Sequence, residues 1–86
     1  METVNYDLVL ADMYRIEGGL LCGSHAEIAI MDGEVEVDRI HRRGKLWESS
    51  YCIPYQGKPG LTAVLLSGKC QVRFGVAVNP GASLRP

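Results

Sequence analysis

The chain has 86 residues, 47% of them apolar, with nine Lys and Arg against ten Asp and Glu. That leaves room for one small core, because domains of this size bury only about 60% of the surface their unfolded chains expose. No apolar run approaches the roughly 20 residues needed to span a bilayer.

The net charge of −1 hides a division. Nine acids and one base, Arg15, precede Arg39; eight bases and one acid, Glu48, follow from there, giving −8 and +7. Such an asymmetry points to a polar partner or to a surface paired within the molecule. The N-terminal METVNYD lacks the basic region and apolar core of a secretory signal. Cys22, Cys52 and Cys70 cannot all pair within one chain. Reduced thiols and a cytoplasmic location are therefore expected.

In chain order, Val4, Tyr6, Leu8 and Leu10 alternate as on a strand running to about Ala11. A bend and a short strand around Met13 to Ile16 follow. The competing reading is a helix from Leu8 to Glu17, capped by Asp7 and stopped by Gly18-Gly19. Next, Glu27–Met31 and Glu34–Asp38 flank Asp32-Gly33, a strong signal for a hairpin with a type I′ turn. A two-residue turn there pairs Ile30 with Val35 and Ile28 with Val37, forming an apolar face. On the other face Ala29 meets Glu36, and Glu27 meets Asp38, so that face needs solvent or a cation.

Lys45 to Ile53 also reads as a strand. A tight turn at Arg43-Gly44 sets Arg39 opposite Glu48 and Ile40 opposite Trp47. Pro54 and the segment Gln56–Gly60 then read as loop. The last pair of runs, Leu61–Ser67 and Cys70–Val78, is joined by Gly68-Lys69, a type II′ candidate. That register faces Leu65 with Val72, Ala63 with Phe74 and Leu61 with Val76, all six in the core.

Five to seven short strands with hairpins at about 27–38 and 61–78 indicate an all-β antiparallel domain, a small barrel or a compact sandwich. Residues 1–78 form a single β domain, and 79–86 an extended or mobile C-terminal tail.

The favoured function is a non-catalytic protein-interaction domain: an inhibitor, adaptor or assembly subunit, of the kind a phage or mobile element carries as an accessory. Its expected contact surface is acidic and aromatic, made by Glu27, Glu34, Glu36, Asp38, Trp47 and Tyr51, with Met31, Ala29 and Ile53 on the same face. Rings supply flat apolar area and carboxylates accept donors. The partner is a protein, and a homodimer or higher homo-oligomer is expected because small domains gain stability by associating.

The alternative is a small β-barrel that binds single-stranded nucleic acid through segment 41–58. Arg42, Arg43, Lys45, Lys58 and Arg73 would supply cations, with Trp47, Tyr51 and Tyr55 as stacking platforms. Against it stand the acidic half and the lack of an RNP-type signature. A third reading, a cysteine-dependent enzyme, would use Cys22 or Cys52 with His25 or His41. No nucleophile motif accompanies them, and catalysis is not expected. The spacing Cys22-Gly23-Ser24-His25 suits a metal, but the second close-spaced ligand pair of a structural zinc site is missing. No metal, cofactor or membrane contact is expected.

Overall fold

The computed structural model describes residues 2–77, and the tail expected over 79–86 lies outside them. The N-terminal alternation forms a strand rather than the competing helix: β1 (Val4–Ala11) buries Tyr6, Leu8 and Leu10. Asp12 takes a positive φ of 52°, which bends the chain into β2 (Tyr14–Glu17). Gly18-Gly19 turns it into the long β3 (Leu20–Asp32). Then come β4 (Val35–Gly44), β5 (Ser50–Gly57), β6 (Thr62–Gly68) and β7 (Gln71–Val76).

These strands make two antiparallel sheets, and neither closes into a barrel. One has the order β5-β1-β7. In the other, β3 carries β4 and β6 along its second half and β2 along its first four residues. Leu8 and Leu10 from the first sheet join Ala26, Ile28 and Ile30 from the second in one core, all five fully buried. Each large aliphatic side chain removed from water in this way contributes about 1.5–3 kcal/mol.

Tyr6 closes one side of the core. Its ring stacks on Phe74 at 4.7 Å, and its hydroxyl donates to the Lys58 carbonyl at 2.6 Å. The same oxygen accepts from the Leu61 amide at 3.2 Å, so one buried phenol pins the loop between β5 and β6.

Four expectations need correction. First, the turn after β3 is one residue later than Asp32-Gly33: Asp32 pairs with Val35, and Gly33-Glu34 is the loop. Of those two only Gly33 has a positive φ, 62°, the pattern of a type II′ turn rather than type I′. A bulge then shifts the register between Ile30 and Met31, so that Ala29 faces Arg39, Ile28 faces Ile40 and Glu27 faces His41. Val35 and Val37, expected against Ile30 and Ile28, are largely exposed instead.

Second, β4 runs on to Gly44 and does not pair with the segment after it. Residues 45–49 are loop, so Arg39 does not meet Glu48, nor Ile40 Trp47. Third, β5 includes Pro54, which was expected to break it. Pro54 lies opposite Asp7 on an edge strand, where a missing N–H leaves no ladder bond unmade.

Fourth, β6 and β7 do not pair with each other. β6 lies on β3 and β7 on β1, so the chain crosses between sheets at residues 69–70. Leu61 is buried and Ala63, Leu65, Val72 and Phe74 pack on the core as expected, but Val76 is 68% exposed. At the crossing Gly68 has φ of 92°, and a Cβ there would sit 1.9 Å from the His25 carbonyl oxygen. Only glycine lets the end of β6 approach β3 this closely.

Candidate functional site

The outer face of the β3–β4–β6 sheet carries most of the polar chemistry. With Ala26, Ile28 and Ile30 turned to the core, alternation puts His25 and Glu27 outward. The shifted register sets Arg43 beside His25, His41 beside Glu27 and Arg39 beside Ala29. From there the Arg39 guanidinium donates to Glu27 at 2.7 Å and to both oxygens of Glu36 at 2.7 Å. These hydrogen bonds hold the Glu27 and Glu36 carboxyls below their ordinary range. The like-charge opposition of the expected register is thereby replaced by a bridge.

The acidic and aromatic surface is consequently not assembled as expected. Glu27 and Glu36 share the outer face but are held by Arg39. Glu34 is exposed in the turn. Asp38 pairs opposite the core residue Ile30, because the bulge reverses the alternation, and accepts from the Tyr55 hydroxyl at 3.0 Å. Burial pushes the Tyr55 phenol up, and Asp38 adds to that. Trp47 lies in the loop after β4, and Tyr51 faces Leu10 in the other sheet. Ile53 is buried against Leu8.

The cations divide differently. Lys58 is paired with Asp32 at 2.7 Å, and Arg73 stands on β7 opposite Val9, in the other sheet. Tyr55 belongs to that sheet too. Arg42, Arg43 and Lys45 remain together at the end of β4, and the chain crossing adds Lys69. Among the described residues none of these four forms a salt bridge.

Two depressions indent this end. One, of about 290 Å³, is lined by His25, Glu27, His41, Arg42, Arg43 and Ser67. The other, of about 640 Å³, is lined by Arg15, Gly23, Ser24, His25, Arg43 and Gly44. His25 and Arg43 belong to both, so the two depressions adjoin across that pair and together form one trough. In its wider part Gly23 and Gly44 bring two backbones together, since a Cβ on Gly23 would come 2.9 Å from the Gly44 carbonyl oxygen.

Aromatic groups lie beside the trough without lining it. Tyr14 pairs opposite Gly23, and its ring meets Trp47 edge to face at 4.9 Å. The Lys69 ammonium lies 4.9 Å from the centre of the Tyr14 ring, while its amide donates to Ser24 Oγ at 3.3 Å. Trp47 stays 50% exposed. Comparison of the chain with family models, curated proteins and solved structures finds no match.

Ser67 Oγ lies 3.2 Å from His25 Nε2 and 3.4 Å from Glu27 Oε1. The three residue types are those of a hydrolytic triad, but the order is not. There the acid orients the histidine, which in turn contacts the serine. Here serine bonds to both other members, and Glu27 meets a different histidine, His41, at 3.7 Å. Of the two thiols expected as nucleophile candidates, Cys52 leans the wrong way. Partial desolvation, reinforced by Asp7, raises the Cys52 thiol above its ordinary value, and burial does the same for Cys70. An activated thiol shifts in the opposite direction. Among the described residues no three His, Cys, Asp or Glu side chains gather as a metal site.

Sequence reasoning had Arg42, Arg43 and Lys45 in hand. It missed Tyr14 and Ser67, and it had Lys69 as a cation but not its place beside Tyr14, because these reach the site through pairings distant in the chain. Gly23 and Gly44 were a readable signal, since a glycine inside a strand marks a close backbone approach.

Proposed function

We propose that the chain is a non-catalytic interaction domain whose docking surface is the cationic trough and its aromatic border. The observation that supports this reading is the contrast in pairing on one sheet. Arg39 holds the acids of the outer face, while Arg42, Arg43, Lys45 and Lys69 have no carboxylate among the described residues. Unpaired cations around a concave surface favour an anionic partner and steer its approach.

The test is retention on an immobilised sulfated polysaccharide. Wild-type protein should need added salt to elute, and Arg42→Glu with Arg43→Glu should elute near the void. Unchanged retention of the double variant would reject the trough as the docking surface. Glu34→Gln serves as a control and should elute with the wild type.

Self-association is a second reading, supported by the open sheet edges and by Val64 and Leu66, both about half exposed on the edge strand β6. Edge strands present unpaired backbone groups that a second copy can use. Light-scattering mass that rises with concentration would support it, and a constant monomer mass would exclude it. A cytoplasmic location belongs to the same proposal and rests on three free cysteines.

A further inference from the structure

We infer that the trough binds single-stranded nucleic acid, with its backbone along Arg42, Arg43, Lys45 and Lys69 and a base stacked on Trp47. The inference rests on the trough being the docking surface and goes further by assigning the ligand class.

Charge is the first ground. From Ile40 to Trp47 the chain has three Arg and Lys and no acid, and the fold brings Lys69 beside them. The acid lining the trough, Glu27, is held by Arg39, and Glu17 is paired with Arg15. Phosphates would meet cations that need not leave another partner.

Aromatic geometry is the second. Lys69 lies over the ring of Tyr14, and Tyr14 supports Trp47 from one side, so the half-exposed indole is held in place with surface to spare. Every nucleobase has a flat face that can stack on such a ring, whereas an acidic peptide would satisfy the cations and leave the indole unmatched. Bases in a duplex are already stacked inside and cannot reach it without unpairing.

The third ground is access. Gly23 and Gly44 both line the wider depression, so part of its wall is bare backbone that a strand can meet without a side chain between them. Apart from two histidines and two serines, no side chain in the trough offers neutral base-edge contacts. Binding should therefore tolerate sequence.

The experiment measures fluorescence anisotropy of labelled oligo-dT and oligo-U about 12 nucleotides long. A duplex of the same length and poly-glutamate are run as competitors. Four neutralised phosphates predict a salt slope near −0.7 per contact, or about a 50-fold loss of affinity between about 50 and 200 mM salt. Titration should quench the single tryptophan, Trp47. Trp47→Ala should weaken binding about 5- to 150-fold, the range for one stacked base, with Trp47→Phe recovering part of it. Circular dichroism and the thermal midpoint establish that each variant is folded.

If the single strands bind no better than duplex and poly-glutamate, and folded Trp47→Ala binds like wild type, the nucleic-acid assignment fails while the anionic docking surface stands. If none of the polyanions binds at low salt, both readings fail together. Preferential binding of one oligonucleotide would separate RNA from DNA as the natural class.

Discussion

Arg39 and Arg43 stand on the same strand and the same face, opposite Ala29 and His25, yet they have different partners. Arg39 bridges Glu27 and Glu36, while Arg43 lines the trough and has no salt bridge among the described residues. What separates them is register. The bulge after Ile30 carries Arg39 to a position where both carboxylates are within reach, and the acids of the N-terminal half run out before Arg43. A charge division that looks uniform along the chain thus becomes a neutralised patch beside a free one.

The sharpest way to break that arrangement is at the crossing that brings Ser67 and Lys69 to the face. Gly68→Ala would place a Cβ inside the His25 carbonyl, in a backbone conformation that alanine resists. We expect a loss of about 4 kcal/mol or more, or no folded protein, by chemical denaturation. Wild-type stability in that variant would mean that β6 does not approach β3 as described.

The two ends of β3 give the next contrast. Ile28, fully buried between both neighbouring strands, should lose about 2–5 kcal/mol on change to alanine. Leu20, 69% exposed where β3 has only β2 beside it, should change by less than about 0.5 kcal/mol on the same substitution. Equal effects would show that the first residues of β3 are covered, by a second copy for instance, and a concentration series would then reveal it.

Much of the fold was legible because it is local. Val4 to Ala11 alternates cleanly, and the strands on both sides of residues 32–34 follow from the same period. The register was not legible, since Glu-Val-Glu-Val keeps its alternation when a turn one residue later slides the pairing by two. Beyond the bulge the partners lie three residues from those expected, and in that register Arg39 bonds to two carboxylates. Likewise Leu61–Ser67 and Cys70–Val76 look like partners, joined as they are by a tight glycine turn. Pairing them with β3 and β1 instead lets Leu65 and Phe74 close the core from two sheets, a gain no local window displays. For the trough, the run of cations was visible and its border was not. Tyr14 and Lys69 are far apart in the chain and meet only through the fold.

The smallest expected effect tests the contrast between Arg39 and Arg43 most directly. In the folded protein the Glu27 and Glu36 carboxyls lie below the ordinary value of 4.5, chiefly through hydrogen bonds from Arg39. The unfolded chain therefore binds more protons than the native one in acid. Their contribution to stability is complete above the unfolded value and is lost as pH falls through the folded ones. Arg39→Gln should return both carboxyls toward the ordinary value in NMR titrations and flatten this acid limb of the stability profile. Both side chains are exposed enough that neutral-pH stability should change only slightly. Arg43→Gln should leave both carboxyl titrations unmoved, since no carboxylate depends on it. If Arg43→Gln shifted Glu27 as far as Arg39→Gln does, the two arginines would share that carboxylate, and the free cationic patch would be smaller by one.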